Sequence, residues 1–233
     1  MSMQLKFGLT ENFQCNYLPE QQERLLICAE PENELAELNN MLIKYGFRRS
    51  GSQIYRPHCE SCQACESLRI ISTEFTPSRS QKRVLQKNKD LQIIVSEQNK
   101  SIYYPLFEQY INQLHADGSM YPASQAQYSG FIQSNFQESK FVEAWLGDTL
   151  LAVAVTDLID DGYSALYTFY SPNEAQRSLG TWMILQQIFL CQQDNKKYLY
   201  LGYQIDECKK MNYKANFYPH ERYRHNNWFL YRK

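Results

Sequence analysis

The order of elements in the second half of the chain constrains its fold most strongly. Three strand-like segments, FVEAWLG, TLLAVAVTDLID and YSALYTFYS, follow one another between residues 141 and 171, separated by short turns that contain Gly147 and Gly162. Glycine-containing turns of this kind join antiparallel strands in hairpins. An apolar helix is expected next, at 180–194, and the segment YLYLGY at 198–203 has the composition of a strand.

Three antiparallel strands, a helix and a further strand are typical of the second half of an acetyltransferase-like fold of the GNAT type. We therefore predict an α/β (α+β) protein with a GNAT-like acyltransferase fold. Apolar spacing and composition predict further helices and strands in the first part of the chain, namely helices at 33–46, 77–89, 103–114 and 124–136 and strands at 68–73 and 91–97. Asn33 can cap the start of the helix at 33–46, and Gly46 suits its left-handed end. The predicted domains are an N-terminal region at 1–100, with a cysteine-rich loop and a basic helix, and the GNAT-like transferase region at 101–233.

Composition excludes several broad classes of protein. The chain has 233 residues, of which 43% are hydrophobic and 21% are charged, so enough apolar surface is present to form a core and global disorder is excluded. No run of about 18 apolar residues is present, which excludes a membrane-spanning helix. Residues 1–20 lack the basic start and apolar middle of a secretory signal, so we expect a cytoplasmic location and no membrane partner.

The formal net charge of -1 conceals two basic segments in an otherwise acidic chain. Residues 48–89, the first basic segment, contain nine Lys or Arg residues against three Asp or Glu residues, and residues 209–233, the second basic segment, contain seven against one. This segregation indicates a polyanionic partner, and we expect the two segments to converge on one cleft. The alternative, that both segments are ordinary solvated surfaces, is equally compatible with the charge pattern alone.

Seven cysteines in a chain without a secretory signal indicate reduced thiols or a metal site rather than structural disulfides. Cys59, Cys62 and Cys65 form a C-x-x-C-x-x-C motif, and either His58 or the distant Cys15 would complete a zinc or iron–sulfur ligand set. The other interpretations are a turn of small buried residues and a reactive thiolate. Three further cysteines are predicted to be core residues: Cys28, Cys191 and Cys208.

Six sequence blocks carry a resemblance that covers nearly the whole chain, from about residue 7 to residue 225. In chain order they are LTENFQCNYLP, GFRRSGSQIYRPHCESCQACESLRI, SRSQKR, AVAVTD, YTFYSP and YLGYQIDECKKMNYKANFYPHE. Together they resemble the bacterial aspartate/glutamate leucyltransferases, which are relatives of the eukaryotic arginyl-tRNA–protein transferases.

The resemblance implies an activity and its partners. Members of that family transfer leucine from leucyl-tRNA to proteins whose first residue is Asp or Glu, which marks the product for degradation by the N-end rule pathway. The aminoacyl ester is already activated, so no cofactor is required. In the eukaryotic relatives, N-terminal cysteines and loop cysteines form a pattern proposed to hold a metal cluster. Here Leu18 replaces the second N-terminal thiol, so a complete four-cysteine site is not expected.

The loop before the apolar helix distinguishes between two donors. Acetyltransferase-like folds often have the pattern [QR]-x-x-G-x-[GA] at this place, where backbone amides hold the coenzyme A pyrophosphate. The sequence Arg177-Ser178-Leu179-Gly180-Thr181-Trp182 matches only in part, because Trp182 replaces the last small residue. A bulky indole there disfavours coenzyme A and favours an aminoacyl-tRNA.

The implied reaction is attack by a neutral α-amine on an ester, which requires alignment, proton removal and stabilisation of an oxyanion. Asp206 and Glu207 follow the last predicted strand and are the candidates for contacting or deprotonating the α-ammonium group. Tyr203 and Tyr213 are candidates for hydrogen bonds to the same groups. The alternative for the two acids is a local ion pair with a nearby lysine: Lys209, Lys210 or Lys214.

The basic segments supply candidates for binding both substrates. For the carboxylate of the acidic N-terminus we predict Arg79, Lys82 and Arg83, with Arg48, Arg49 and Arg56 as second choices. Contact with the tRNA backbone is a nearly equal alternative for Arg79, Lys82 and Arg83. The residues assigned to tRNA phosphates are Arg177, Lys209, Lys210 and Lys214. Trp182 and Met211 are the candidates for the donor leucyl pocket, with core packing as the alternative.

Three other functions remain open at this point. An arginyl-tRNA–protein transferase would differ in the donor pocket and share the architecture. An acyl-CoA-dependent N-acetyltransferase would use the same fold. A non-catalytic RNA-binding module, organised by a metal at the cysteines, would bind tRNA without transfer.

Overall fold

The computed structural model describes residues 4–233, which form a mixed α/β fold. The strands and helices are, in chain order, β1 (Phe7–Leu9), β2 (Phe13–Gln14), β3 (Gln22–Glu23), β4 (Leu25–Cys28), α1 (Leu35–Leu42), β5 (Arg48–Ser50), β6 (Gln53–Pro57), β7 (Glu66–Ile71), α2 (Arg79–Lys87), β8 (Gln92–Ser96), α3 (Tyr103–Leu114), α4 (Gln125–Ile132), β9 (Ser139–Leu146), β10 (Thr149–Ile159), β11 (Gly162–Tyr170), α5 (Leu179–Gln193), β12 (Tyr198–Gln204), β13 (His220–Arg224) and β14 (Asn227–Tyr231). Short 3-10 helices lie at Glu32–Glu34, Ile43–Tyr45, Ser72–Glu74, Pro172–Arg177 and Asn212–Asn216.

An eight-stranded mixed sheet is the centre of the fold. Its strand order is β14-β13-β7-β12-β11-β10-β9-β8, and every neighbouring pair is antiparallel except β11 and β12, which are parallel. Strands β7 and β8 come from the first hundred residues, and β7 lies between β12 and β13. The chain on either side of residue 100 therefore shares one sheet, and a domain boundary there stays a prediction.

Helices cover both faces of this sheet. Strand β10 is buried on both sides, and its residues alternate between two cores as the two-residue period of a strand requires. Ala152 and Ala154 face the core that contains α5, whereas Val153 and Val155 face the core that contains α3. The predicted hairpins, apolar helix and following strand are confirmed, at bounds that differ by a few residues.

The first part of the chain adds a smaller sheet of order β1-β4-β6-β5, which packs against α1. The predicted helix at 33–46 is an α-helix only over α1, with a 3-10 turn at each end. Gly46 ends this segment with φ 82°, the left-handed conformation expected of it. Asn33 lies inside the first 3-10 turn and does not cap the helix, so that detail of the prediction is wrong.

Two helices begin at a serine that forms a capping box. Ser78 accepts a hydrogen bond from the backbone N–H of Gln81 at the start of α2, and Ser124 accepts one from Gln127 at the start of α4. Helix α4 ends at Ile132, short of the predicted 136, because the backbone of Gln133 is extended. In the described range 4–233, no helix has the length and apolar character needed to cross a membrane.

Candidate active site

The only parallel pair of strands in the large sheet separates toward its carboxyl ends. β11 and β12 are paired over Gly162–Ser164 and Tyr198–Tyr200, and beyond that point β11 follows β10 while β12 follows β7. A bulge between Tyr200 and Gly202 bends β12 at the place of separation, and Gly202 has φ 91°, which favours glycine. The carboxyl ends of separating parallel strands are the usual place for ligands in α/β sheets.

Arg48 occupies the point at which the two strands separate. Its guanidinium donates to the carbonyl of Tyr200 on β12 at 3.1 Å and to the carbonyl of Ala165 on β11 at 2.5 Å. The residue is only 6% exposed. No carboxylate among the described residues forms an ion pair with it, and burial lowers the pKa of Arg48.

A second buried cation, Lys214, lies on the 3-10 helix that follows β12. Its ammonium donates to Met211 Sδ at 3.3 Å and lies 4.8 Å from the centre of the Tyr213 ring. Burial lowers the pKa of Lys214 to about 7, and the neighbouring positive charge of Arg48 acts in the same direction. Within residues 4–233 this lysine also has no carboxylate partner.

A basic groove of about 1260 Å³ lies beside this pair, between α2, the start of α5 and the C-terminal strands. Arg79 and Arg83 come from the first basic segment, and Arg232 and Lys233 come from the second. The structure thus brings the two segments together along one surface. Of these four cations only Arg232 forms an ion pair in the described part of the chain, with Glu74 at 2.7 Å.

The first turn of α5 contributes to the same groove. Ser178, in the left-handed conformation with φ 56°, precedes the helix without a side-chain cap, and both Ser178 and Thr181 line the groove. The first backbone N–H groups of a helix have no partner within the helix and carry partial positive charge. This end of the groove therefore suits an anion.

Tyr213 connects the groove with the buried cations. Its side chain is 41% exposed and lines the groove, while its ring lies against the Lys214 ammonium. Burial raises the pKa of Tyr213, and Tyr170 adds to this effect. The groove therefore ends beside Lys214.

Two of the predicted catalytic residues have structural partners. Tyr203 is buried and its hydroxyl donates to the carbonyl of Gly46 at 3.0 Å, so it ties β12 to the turn before β5. Burial raises the pKa of Tyr203 well above its usual value. Asp206 pairs with Arg222 at 2.9 Å. Partial burial acts to raise the pKa of Asp206, but hydrogen bonds from Gln204 and Arg222 outweigh it and lower that pKa.

These contacts argue against Tyr203 and Asp206 as proton acceptors. The alternative of a local ion pair for Asp206 describes the structure better, although its partner is Arg222 rather than a lysine. Glu207 is exposed.

The adjacent residues Arg48 and Arg49 have opposite surroundings. Arg49 forms a buried double hydrogen bond with Asp157, at 2.9 and 2.7 Å, and also donates to the Gly51 carbonyl. Since its guanidinium is occupied inside the protein, the assignment of Arg49 to the substrate is wrong. Arg56 donates to the Tyr45 carbonyl at 3.1 Å and lies over the Phe47 ring.

The residues predicted to bind tRNA are dispersed. Arg177 is paired with Asp90 at 2.9 and 3.0 Å and with Glu174 at 2.8 Å, so it is less available to a phosphate than an unpaired cation. Lys210 pairs with Asp117 at 2.5 Å. Lys82 and Lys209 are exposed, and neither lines the groove.

The two candidates for the leucyl pocket differ in environment. Trp182 is 3% exposed and lies in the main core, because its face of α5 packs against the sheet. Core packing, the alternative given for Trp182, describes this position, and its assignment to a donor pocket stays a prediction. Met211 is half-buried and contacts Lys214, so it stays a candidate.

The cysteines show no metal geometry. All seven are free thiols, and no group of three or more His, Cys, Asp or Glu side chains in residues 4–233 is arranged to hold a metal ion. Burial raises the pKa of Cys65 to about 12, and the surrounding Cys59, Cys15 and Cys62 add to this effect. The raised pKa argues against a reactive thiolate at Cys65, whereas metal binding at these cysteines stays a prediction. The three cysteines predicted for the core are buried: Cys28, Cys191 and Cys208.

Comparison with known protein families identifies the family to which the chain belongs. Two family models match the chain, Arginine-tRNA-protein transferase, N terminus, over residues 13–83, and Arginine-tRNA-protein transferase, C terminus, over residues 102–224. The chain belongs to this family of transferases, which confirms the resemblance seen in the sequence.

Its curated relatives carry a more particular name, aspartate/glutamate leucyltransferase. The protein of that name from Pseudoalteromonas atlantica is 49% identical, over 98% of this chain and 99% of the relative. Those from Aeromonas hydrophila and Vibrio cholerae are 47% and 41% identical, over 96% and 97% of this chain and 94% and 97% of the relatives.

Solved structures show weaker similarity. L-PGS from Bacillus licheniformis aligns with a TM-score of 0.48 at 9% identity, over 74% of this chain and 50% of that one. The C-terminal domain of a putative lysylphosphatidylglycerol synthetase from Agrobacterium fabrum aligns with a TM-score of 0.43 at 11% identity, over 62% of this chain and 48% of that one. These scores carry no argument about the site.

Proposed function

We propose that the chain transfers leucine from leucyl-tRNA to the N-terminal α-amine of proteins that begin with Asp or Glu. The observation that carries this proposal is the near full-length identity of 41–49% to relatives named aspartate/glutamate leucyltransferase. Such a product enters the N-end rule degradation pathway, and the use of a translation intermediate as donor places the activity in the cytoplasm. The donor ester is already activated, so the reaction needs no cofactor.

The basic groove supports binding of the donor RNA. Arg79, Arg83 and Lys233 are cations without a carboxylate partner among residues 4–233, and they line the groove together with the amino end of α5. Phosphate groups bind at such cations and at helix amino ends. The aminoacyl end of the tRNA would then follow the groove toward Tyr213.

The separation of β11 and β12 supports an acyl-transfer crevice, and we propose that this part of the sheet is GNAT-like. The α-amine attacks the ester carbonyl, a C–N bond forms, and the C–O bond to the ribose breaks. The amine loses one proton and the tRNA leaves with a free hydroxyl group. An α-amine with a pKa of about 7.7–8.0 is partly neutral near pH 7, so alignment is the main contribution required of the enzyme.

The test is a transfer assay with radiolabelled leucyl-, arginyl- and phenylalanyl-tRNA, each offered to peptides that begin with Asp, Glu, Lys or Ala. We expect leucine to be incorporated into the Asp and Glu peptides only. Incorporation of arginine in place of leucine would identify an arginyl-tRNA–protein transferase on the same architecture. The absence of donor-dependent mass gain on any peptide, with intact aminoacyl-tRNA, would overturn the proposed function.

A further inference from the structure

Two buried cations without a counter-ion lie side by side at the separation of β11 and β12. Arg48 is 6% exposed and Lys214 is 5% exposed, and neither forms an ion pair with a carboxylate in the described chain. Buried cations elsewhere in this protein are paired, as in the Arg49–Asp157 and Arg69–Glu221 pairs. An unpaired buried charge costs several kcal/mol in general, and two adjacent charges of the same sign add repulsion.

The remaining contacts of this pair are neutral. Arg48 donates to two backbone carbonyls, and the Lys214 ammonium contacts the Met211 thioether and the Tyr213 ring. Cys65 and Cys208 are the other titratable groups near Lys214, and both are free thiols. The Asp157 carboxylate also acts on Arg48 through space, but it is held by Arg49, so among residues 4–233 no anion forms an ion pair with Arg48 or Lys214.

We infer that Arg48 and Lys214 together bind the side-chain carboxylate of the N-terminal Asp or Glu of the acceptor protein. This assignment rests on the proposed function and adds the residues that make it specific. Of the two, Arg48 is fixed by the sheet at the separation of the strands, and Lys214 brings an ammonium from the following 3-10 helix.

The position of the pair agrees with the requirements of the reaction. In Asp the carboxylate carbon is separated from the α-nitrogen by only two carbon atoms, so a bound carboxylate holds the α-amine within a few ångströms of Lys214. Tyr213 contacts Lys214 and lines the basic groove, and the donor ester would reach the same place from the groove. Anchoring the carboxylate thus aligns the nucleophile with the ester.

The depth of the pair favours a carboxylate over an RNA phosphate. The exposed cations Arg79 and Arg83 are available to a tRNA backbone, whereas Arg48 and Lys214 are accessible only to a small group. Tyr55, Cys65 and Met211 are half-buried neighbours of the pair, so the two cations lie close beneath the surface. An N-terminal Asn or Gln is neutral and would leave both cations unpaired. The site is therefore expected to bind these residues more weakly than Asp or Glu.

The first experiment measures binding of fluorescent peptides by anisotropy, in the absence of tRNA. Peptides that begin with Asp and Asn are compared on the wild type, Lys214→Gln, Lys214→Arg and, as a matched control, Lys44→Gln. Lys44 is a half-buried lysine outside the pair and the groove, with its ammonium 3.9 Å from the Asp161 carboxylate. We expect the wild type and the control to bind the Asp peptide at least about 30-fold more tightly than the Asn peptide.

In Lys214→Gln the preference for the Asp peptide over the Asn peptide is expected to fall to about threefold or less, and Lys214→Arg should recover part of it. The affinity for leucyl-tRNA is expected to stay at the wild-type value in both. A folded Lys214→Gln that keeps the wild-type preference for Asp over Asn would overturn the assignment. So would a parallel loss of tRNA affinity, because the pair would then bind phosphate.

The second measurement uses the wild type alone and is independent of how any variant folds. Binding of the Asp peptide at pH 7.5 is followed by calorimetry in buffers of different ionisation enthalpy, with the Asn peptide as reference. We expect net proton uptake with Asp that the Asn peptide lacks, because the carboxylate favours the protonated lysine. Equal proton uptake for the two peptides would contradict the assignment.

The two proposals fail in different ways. If the wild type prefers Asp over Asn in binding but transfers no leucine, the proposed function is wrong and the carboxylate site stands. If the wild type transfers leucine and Lys214→Gln keeps the preference for Asp, the carboxylate site is wrong and the proposed function stands.

Discussion

The side chain of Arg48 donates a hydrogen bond to the backbone carbonyl of Ala165, at the residue where β11 leaves its pairing with β12. The same guanidinium donates to the Tyr200 carbonyl on the opposite strand. An arginine from the smaller sheet therefore bridges the two strands at the point where they separate. The sheet thereby fixes the position of this positive charge in the candidate site.

We expect Arg48→Ala to reduce both stability and transfer. Removal of the guanidinium leaves two carbonyls without their donor, and each such group costs about 1–3 kcal/mol when it stays buried. Arg48→Lys keeps the charge but lacks the planar fork, so it is expected to recover only part of both. Urea unfolding and transfer to an Asp peptide measure the two effects. Wild-type stability in Arg48→Ala would contradict the bridging role.

The Arg49–Asp157 pair is expected to be structural. Arg49→Met leaves the Asp157 carboxylate buried, and we expect a loss of about 3–5 kcal/mol in the free energy of unfolding. Ser139 donates to the same carboxylate at 2.6 Å and does not replace the lost charge. The folded fraction is expected to keep the wild-type preference for Asp over Asn peptides. A loss of that preference, with stability unchanged, would return Arg49 to the substrate site.

The groove cations are expected to act on the donor. In Arg79→Gln/Arg83→Gln we expect KM for leucyl-tRNA to rise about tenfold, and the slope of affinity against salt concentration to fall by about two units. The ratio of the affinity for the Asp peptide to that for the Asn peptide should not change. Lys89→Gln is the control, because Lys89 is an exposed lysine just after α2 that does not line the groove. A changed Asp-to-Asn ratio in the double variant would instead place the acceptor carboxylate at α2.

Asp206→Asn tests whether this residue is the proton acceptor. Its carboxylate is paired with Arg222, so we expect kcat to stay within about threefold of the wild type. Loss of a general base would lower kcat by about 100-fold or more. The assay is transfer of leucine to an Asp peptide at saturating leucyl-tRNA, with unfolding followed in parallel to detect loss of the ion pair. A drop of the larger size, in a folded variant, would restore Asp206 as a base.

Binding of an acidic peptide is expected to weaken as the pH rises above 7. Burial and the positive charge of Arg48 lower the pKa of Lys214 to about 7 in the free site, so its ammonium is mostly present below that pH and is lost above it. The peptide carboxylate is ionised throughout, and Arg48 stays charged. The neighbouring Cys65 stays neutral because its pKa is raised to about 12, mainly by burial.

Between pH 6.5 and 8, the ratio of the Kd of the Asp peptide to the Kd of the Asn peptide is expected to increase about fivefold to tenfold. Dividing by the Asn value removes the titration of the α-amine that both peptides share. Lys214→Arg should abolish this dependence, because arginine does not titrate in this range. A flat ratio in the wild type would show that Lys214 does not contact the carboxylate.

The sequence by itself determined the local elements of this protein. Hairpin turns, helix periods and the capping serines Ser78 and Ser124 depend on neighbouring residues, so their patterns can be read along the chain. The segregation of charge into two basic segments was also visible, and it correctly indicated that the segments meet. The six sequence blocks also indicated the family, because they can be recognised along the chain in a fixed order.

Only the tertiary structure decided which of these charged residues are free. Arg48 and Arg49 are adjacent and equivalent in sequence, but successive residues of a strand point to opposite sides. Arg49 meets Asp157 from β10, whereas Arg48 meets two carbonyls and no carboxylate. Likewise, Lys214 is buried while Lys209 stays in solvent. Burial and counter-ions come from distant segments, so local patterns cannot specify them.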